Sequence, residues 1–193
     1  LLGATHTELQ QWQRAIRAYQ EAEIKAKKPV IGLAEQREQF VNEARFKRGI
    51  AYCQNQQYRE AMNDLTTFIG SNENDTRMDE AVFWLTESYY RADLLQNAEE
   101  TYKRFLVEYP ASKRREEVLY GLGWTYFRTK QFDEANSTFT KLIDEYPKSR
   151  FILDVQLRKG DALYLTKKYI EAGKLYKEAY KKSPKSDEGQ YAQ

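Results

Sequence analysis

One alanine recurs at a fixed interval along most of this chain. The interval is 37 residues, and the positions are Ala61, Ala98, Ala135 and Ala172. A small residue stands twelve positions before each alanine, and a large apolar or aromatic residue stands four positions after it. The small residues are Gly49, Thr86, Gly123 and Gly160, and the large ones are Leu65, Tyr102, Phe139 and Tyr176. A period of this length is typical of an array of stacked supersecondary units, not of a single continuous core.

The pattern within each unit predicts two antiparallel helices. We expect the small residue of the first helix to face the alanine of the second, because two backbones approach closely only where both side chains are small. Pro110, Pro147 and Pro184 follow the second helices, which they are suited to end. The predicted first helices are 34–54, 77–92, 114–129 and 151–166, and the predicted second helices are 58–69, 95–108, 132–145 and 169–182. Asp75 or Thr76, and Ser112, are predicted N-caps.

The order Leu122-Gly123, Tyr126, Phe132, Ala135 and Pro147 resembles the tetratricopeptide repeat (TPR) family. That family usually has a period of ~34 residues, and the three extra residues here follow the proline. Tyr-Pro-x-Ser at 109–112 and 146–149 is similar to repeats of bacterial envelope proteins, including the Tol–Pal-associated periplasmic protein and the outer-membrane assembly lipoprotein. The resemblance implies an all-α, right-handed TPR superhelical solenoid of antiparallel helix pairs. It also implies a periplasmic or outer-membrane-associated protein, with a cytoplasmic location as the alternative.

We expect residues 1–193 to form a single array that is a fragment of a longer protein. Its four full repeats are predicted at 42–78, 79–115, 116–152 and 153–189. Residues 1–30 are interpreted as a partial repeat, in which 1–6 end a truncated first helix and 7–27 form its second helix. Nine extra residues fall at about 28–39, and 70–75 is predicted to be an exposed loop. Residues 190–193 either begin a further repeat or form a polar cap, and exposed array ends at Leu1, Leu2 and Tyr191 would give weak homo-oligomers.

Composition and motifs indicate neither an enzyme nor a nucleic-acid-binding protein. The net charge is +2, from 31 basic and 29 acidic residues without a basic stripe. Cys53 and His6 are each the sole residue of their type, and no nucleophile–base pair, metal-ligand cluster or phosphate loop is evident. We therefore predict no catalytic residues, metal or cofactor. No apolar stretch reaches the ~18 residues of a membrane span.

An acidic row also follows the 37-residue step, at Glu43, Glu80, Glu117 and Asp154. Each carboxylate is predicted in the first turn of a first helix, where it stabilises the positive end of the helix dipole by ~0.3–1 kcal/mol. The alternative is an acidic surface that selects a basic partner.

Aromatic residues are concentrated on the predicted inward face of the first helices, which lines the concave groove in the TPR family. That face carries Phe46, Ile50, Cys53, Phe83, Glu87, Tyr90, Tyr120, Trp124, Phe127, Leu157, Asp161 and Tyr164. The rings either form an exposed groove or pack between repeats as core. The predicted partner-binding residues are Phe83, Glu87, Tyr90, Arg91, Tyr120, Trp124, Phe127, Arg128 and Tyr164.

Two functions fit these features. The first is a non-enzymatic scaffold that binds a partner peptide or protein domain in the groove, in bacterial envelope assembly. The second is a structural spacer or self-association segment of a larger multidomain protein. Exposure of Trp124 and Tyr90 distinguishes them, because a spacer needs its rings only for packing between repeats.

Overall fold

A computed structural model describes residues 2–26, 34–72 and 75–182 of the chain. Within these residues the secondary structure consists of α-helices joined by short turns, so the all-α part of the predicted fold class is confirmed. The helices are α1 (Leu2–Ala26), α2 (Ala34–Gln54), α3 (Tyr58–Ser71), α4 (Met78–Arg91), α5 (Leu95–Glu108), α6 (Arg115–Arg128), α7 (Phe132–Glu145), α8 (Ile152–Leu165) and α9 (Tyr169–Lys182).

The chain divides into two compact units between Asn97 and Ala98. In unit 1, α1 packs on α2, α2 on α3 and α3 on α4, and the two first helices α2 and α4 also touch. In unit 2, α6 packs on α7, α7 on α8 and α8 on α9, and the first helices α6 and α8 touch in the same way. The first helices α2 and α8 therefore each lie between two neighbouring helices of their unit, as expected in a repeat array.

The turns between paired helices repeat one geometry. The residue five positions before each alanine has a left-handed backbone, with φ of 63° at Gln56, 63° at Asp93, 61° at Lys130 and 64° at Lys167. In the third repeat, the Lys130 N–H donates to the Phe127 carbonyl at 3.1 Å and the Gln131 N–H donates to the Tyr126 carbonyl at 2.8 Å. This is a Schellman ending, which satisfies the last carbonyls of the helix and reverses the chain.

The contact made by the glycines that recur at the 37-residue step differs from the expectation. A Cβ added to Gly123 would meet the ring of Phe139, and one added to Gly160 would lie 2.7 Å from the Tyr176 ring. The glycine therefore faces the large residue four positions after the alanine, not the alanine itself. Gly123 of α6 is seven residues before Lys130, and Ser137 of α7 is seven residues after it. Ser137 is exposed, however, so the long ring of Phe139 fills the space beside Gly123.

The predicted break near His6 is wrong, because α1 is one continuous helix from Leu2 to Ala26. The segment 7–11 holds good helix formers and neither glycine nor proline, so it has no turn signal. Trp12, Ala15 and Ile16 pack on the core of unit 1, and the exposed residues of 10–26 are mainly polar. Residues 27–33 and 183–193 lie outside the described part of the chain, as do Leu1 and the side chain of Leu2. The contacts expected of Leu1, Leu2 and Tyr191 therefore lie outside it too.

Other boundaries agree closely with the expectation, with two corrections. Helix α3 continues through Gly70 to Ser71, where Asn72 donates its side-chain N–H to the Phe68 carbonyl at 2.7 Å. The predicted N-caps, Asp75 and Ser112, lie two residues before the N-cap positions, where they accept the backbone N–H of Arg77 and Arg114. The extra residues before repeat one include a longer start of α2, from Ala34.

Arginine in the first full repeat serves the attachment of α1. Arg48 donates two hydrogen bonds to Asp64 of α3, at 2.6 and 2.8 Å, and one to Glu23 of α1 at 2.6 Å. Arg45 forms a second ion pair with Glu23 at 3.3 Å. Glu23 and Asp64 are buried, so these charge-assisted bonds supply the pairing that buried carboxylates require.

Candidate functional site

The carboxylate of Asp154 joins two aromatic residues of the preceding first helix. Its Oδ2 accepts hydrogen bonds from the Tyr120 hydroxyl at 2.8 Å and from the Trp124 indole N–H at 3.3 Å. Asp154 is in the first turn of α8, and the two rings are on consecutive turns of α6. The contact between α6 and α8 therefore fixes the orientation of both rings.

Arg158 extends this network along α8. It donates to Asp154 at 3.4 Å and to Asp161 at 2.5 Å, and its guanidinium lies over the Trp124 ring at 5.4 Å. The Tyr176 hydroxyl of α9 donates to the other oxygen of Asp161 at 2.7 Å. A cation over an aromatic face adds to the packing, so Trp124 is fixed by a hydrogen bond at its edge and a charge at its face.

Further rings pack against this pair and form a continuous aromatic cluster. Tyr120 stacks on Phe151, with ring centroids 4.2 Å apart and planes 12° apart. Trp124 meets Phe127 edge-on at 5.8 Å, and Phe127 meets Phe132 in the same way at 5.5 Å. All five rings are partly exposed, so the cluster is neither sealed core nor loose surface. We name the set Tyr120, Trp124, Phe127, Phe132 and Phe151 the α6 aromatic cluster.

A cleft of about 690 Å³ lies in unit 1, and a second cleft of about 560 Å³ borders the α6 aromatic cluster in unit 2. The second is lined by the Phe151 ring, by Glu116 and Glu117 at the start of α6, and by Lys148 and Arg150 of the turn before α8. It therefore places both signs of charge beside an aromatic wall. In the unit 1 cleft, Arg77 is engaged by Asp75 and Glu43.

The remaining predicted residues of unit 2 have different environments. Tyr164 is 57% exposed and packs edge-on against Tyr169, with centroids 5.2 Å apart. Arg128 is exposed at the end of α6, next to Phe127. Asp161 and Leu157, which were expected on the open face, are buried.

In unit 1 the predicted residues form a smaller site. Phe83 is only 5% exposed and packs edge-on against Trp84, so the expectation that its ring lies on the open face is wrong. Its position on α4 turns it toward neighbouring helices, as also happens to Phe46 and Cys53 of α2. Glu87 and Arg91 pair at 3.2 Å, while Tyr90 is partly exposed. Burial opposes the charge of Arg91, but Glu87 prevails and raises the pKa of Arg91 above its ordinary value.

The acidic row does not form a single kind of site. Asp154 accepts the two aromatic donors, whereas Glu43 pairs with Arg77 and Lys47, and Glu117 pairs with Arg114. Glu80, Glu117 and Asp154 are in first turns as predicted, but Glu43 is in the middle of α2, because that helix begins at Ala34. Glu43, Glu117 and Asp154 are paired within the protein, which favours a structural role over a row of free anions.

Reactive groups are few in the part of the chain that the structure describes. Cys53 is fully buried, and burial raises the pKa of its thiol above the ordinary value. Among the described residues, no group of three or more His, Cys, Asp or Glu side chains has an arrangement that could hold a metal ion. None of the described helices is long and apolar enough to cross a membrane.

Sequence reasoning did not identify Asp154, Arg158, Phe132 and Phe151 as parts of the aromatic site. A signal was present, because Asp154 follows Tyr120 by 34 residues and Trp124 by 30. The residue equivalent to Asp154 in the preceding first helix is Glu117, 37 residues earlier, so residues one and two turns after Glu117 lie at about those spacings. A search for polar pairs at these spacings finds the contact.

Comparison with known proteins assigns the family. Residues 38–162 match the family YfiO, described as outer membrane lipoprotein. The chain belongs to the YfiO family. The segment that matches YfiO runs from α2 into α8, so it includes the α6 aromatic cluster, Asp154 and Arg158. No curated protein matches the chain.

Solved structures agree with the YfiO assignment at the level of the fold. A crystal structure of MamA is 24% identical and covers 90% of each chain, with a TM-score of 0.70. MamA from Desulfovibrio magneticus RS-1 is 16% identical, covers 95% of this chain and 97% of that one, and has a TM-score of 0.68. A protein described as a kinesin light chain of Podosopora anserina, with TPR-like repeats, is 16% identical and covers 95% and 92%, with a TM-score of 0.71.

The family and the TPR-like fold together favour a scaffold for protein–protein interactions. The YfiO description also favours association with the bacterial envelope.

Proposed function

We propose that this chain is a non-enzymatic scaffold of the bacterial envelope that binds a partner protein on the first-helix surface of unit 2. The observation that carries the proposal is the α6 aromatic cluster, whose rings are partly exposed and held in place by Asp154 and Arg158. A ring that is already fixed loses little conformational entropy when it binds, and large rings bury much area. This combination is typical of binding hot spots.

The chemistry around the cluster defines the segment that fits. The rings of Trp124 and Phe127 would contact an apolar side chain of the partner. Arg128, exposed at the adjoining helix end, would pair with a carboxylate, and Tyr164 would contact the partner on the next first helix. The cleft beside Phe151 would accept a polar side chain between Glu116 and Arg150.

For unit 1 we propose a smaller contact formed by Tyr90 with the Glu87–Arg91 pair. Its polar character suits a peripheral contact, because an exposed ion pair contributes little net free energy, about 0–1 kcal/mol. Phe83 is left out of the proposed contact surface, since it is buried and supports Trp84.

The test is an affinity pull-down from the envelope fraction of the source organism, with bound proteins identified by mass spectrometry. The bait is the whole chain as wild type, as Phe127→Ala, as Trp124→Ala and as Val107→Ala. Val107 is an exposed apolar residue of α5, so its variant controls for non-specific apolar binding.

We expect a partner that wild type and Val107→Ala retain and that both ring variants lose. Thermal melting of each bait checks that folding is preserved, and Phe127→Ala covers the case in which Trp124→Ala is less stable. Retention of the same proteins by all four baits would contradict the proposal and favour the spacer function.

A further inference from the structure

The turn between α8 and α9 exposes more apolar side chains than the other described turns between paired helices, of which the α4–α5 turn exposes Leu94. Leu165 is half-exposed, Ile170 is 79% exposed, and Tyr169 is exposed beside Tyr164. At the position of Leu165, the earlier repeats have Gln54, Arg91 and Arg128, and at the position of Ile170 they have Arg59, Gln96 and Asp133. We name Leu165, Tyr169 and Ile170 the apolar tip. Leu165 and Ile170 depart from the repeat pattern, whereas Tyr169 follows it, because the earlier repeats have Tyr58, Leu95 and Phe132 at that position.

A row of lysines continues from the apolar tip along α9. Ile170, Lys174, Lys177 and Lys181 fall at helical spacings of four, three and four, so they form one stripe. All four are exposed, and the stripe is opposite the face that carries Ala172, Leu175, Tyr176 and Ala179. The corresponding residues of α7 are Asp133, Ser137, Thr140 and Asp144, so the basic stripe is specific to α9.

The charge of this region differs from that of the rest of the chain. Residues 165–182 contain six lysines and two glutamates, while the whole chain has a net charge of only +2. Lys167 and Lys168 are in the turn itself, and Lys168 also pairs with Asp133 at 3.0 Å. The apolar tip is therefore surrounded by positive charge on the turn and along the helix.

We propose that the apolar tip and the lysine stripe of α9 dock this protein on an anionic membrane surface. Leucine, isoleucine and tyrosine side chains partition into the interfacial region, while the flexible lysine stems reach the phosphates above it. Each lysine near an anionic surface strengthens binding about fivefold. The apolar tip adjoins the proposed protein-binding surface where Tyr169 packs on Tyr164, but the membrane contact does not depend on protein binding.

The shape of the surface favours a membrane over an acidic protein segment. The stripe is a ridge along one helix, about 16 Å long at 1.5 Å per residue. A bound peptide is normally held in a groove with pockets for its side chains. The lysine stripe with the apolar tip at its end instead forms an exposed ridge, which can contact a flat membrane surface that carries many negative headgroups.

The test is co-sedimentation of the whole chain with two kinds of vesicle. One kind is phosphatidylcholine alone, and the other is phosphatidylcholine and phosphatidylglycerol in equal parts, each at low and at high salt. The variants are Leu165→Ser with Ile170→Ser, and Lys174→Gln with Lys177→Gln and Lys181→Gln. The matched controls are Val107→Ser for an exposed apolar residue and Lys113→Gln for an exposed lysine of the same unit.

We expect binding to the anionic vesicles that falls at high salt. The three lysine substitutions should lower the partition coefficient roughly a hundredfold, and each tip substitution should lower it about tenfold. The two control variants and Phe127→Ala should bind as wild type does, which separates this proposal from the protein-binding one.

Three outcomes would overturn the membrane proposal. The first is the absence of binding to anionic vesicles, or binding that the lysine and tip variants leave unchanged. The second is sedimentation of the chain as a dimer that Ile170→Ser converts to monomer without any vesicle binding, which assigns the tip to a second copy. The third is binding to soluble polyglutamate as tight as to vesicles and independent of Ile170, which assigns the stripe to an acidic protein.

Discussion

The Tyr120 hydroxyl donates a hydrogen bond of 2.8 Å to Asp154 across the boundary between two repeats. Asp154 lies in the first turn of α8, where its charge stabilises the helix dipole, and this bond also links it to the neighbouring first helix α6. The same oxygen also accepts the Trp124 N–H, so the contact that joins the repeats also orients the proposed binding surface.

Asp154→Ala should lower the free energy of unfolding by about 1–2 kcal/mol, because the Tyr120 and Trp124 donors lose a charged acceptor. Asp144→Ala, at an exposed position of α7, is the matched control and should change stability by less than about 0.5 kcal/mol. A double-mutant cycle with Tyr120→Phe, measured by urea denaturation, should give a coupling free energy of at least about 0.5 kcal/mol. Additive effects would show that the bond contributes nothing to stability.

Two glycine substitutions should change stability in opposite directions. Gly123→Ala places a Cβ against the ring of Phe139 and should destabilise the protein by about 1–3 kcal/mol, despite the better helix propensity of alanine. Gly173→Ala, in α9, meets nothing within 4 Å and should stabilise by about 0.5–1 kcal/mol. Thermal melting of both variants measures this, and stabilisation by Gly123→Ala would contradict the described helix contact.

Most helix boundaries follow from local signals, which explains why the sequence predicts them closely. In each turn the left-handed residue is five positions before the recurring alanine, so the helices on either side end and begin at equivalent positions in every repeat. The left-handed residues are Gln56, Asp93, Lys130 and Lys167, and the alanines are Ala61, Ala98, Ala135 and Ala172. The helix break predicted near His6 is wrong, because residues 2–22 share only the spacing of apolar residues with the helix pairs and have no turn sequence between them. Without a turn, good helix formers continue as one helix.

The site is less predictable, because it depends on contacts between repeats. Helical periodicity gives Phe83 and Tyr120 equivalent positions, yet Phe83 is buried while Tyr120 remains partly exposed. Tyr120 has a polar partner in Asp154 that holds its hydroxyl end, whereas Phe83 has no polar group to direct outward. Whether such a ring is buried depends on the side chains of the neighbouring helices. The periodic pattern within one helix carries no information about those side chains.

Acid should weaken the link between α6 and α7. The hydrogen bond from Arg115 lowers the pKa of Glu145 from its ordinary value of 4.5. Because the unfolded chain binds this proton more readily, the stabilisation is complete above about pH 4.5 and is lost as pH falls through the lowered pKa. Glu145→Gln should therefore be less stable than wild type at neutral pH by at most ~1 kcal/mol.

That difference should disappear at a pH well below the ordinary pKa of glutamate. Urea denaturation of both proteins across the acid range measures the change. Glu108→Gln, on an exposed and more weakly paired carboxylate of α5, serves as the control. A stability difference that stays constant with pH would show that the charge of Glu145 is not responsible.

The thiol of Cys53 should be unreactive in the native protein. It is fully buried, and burial raises its pKa, so both access and the thiolate fraction are low. Ellman's reagent should label it only at the rate of unfolding and at once in denaturant. Rapid labelling of the native protein would contradict the packing of α2 described above.

The affinity of the partner for two matched variants tests the central claim most directly. Once the pull-down has identified the partner, isothermal titration calorimetry gives its Kd for wild type, Phe127→Ala and Val107→Ala. We predict that Phe127→Ala weakens binding at least about tenfold, which corresponds to about 1.4 kcal/mol, while Val107→Ala binds as wild type does. Equal Kd values for all three proteins, with the fold intact, would contradict the account.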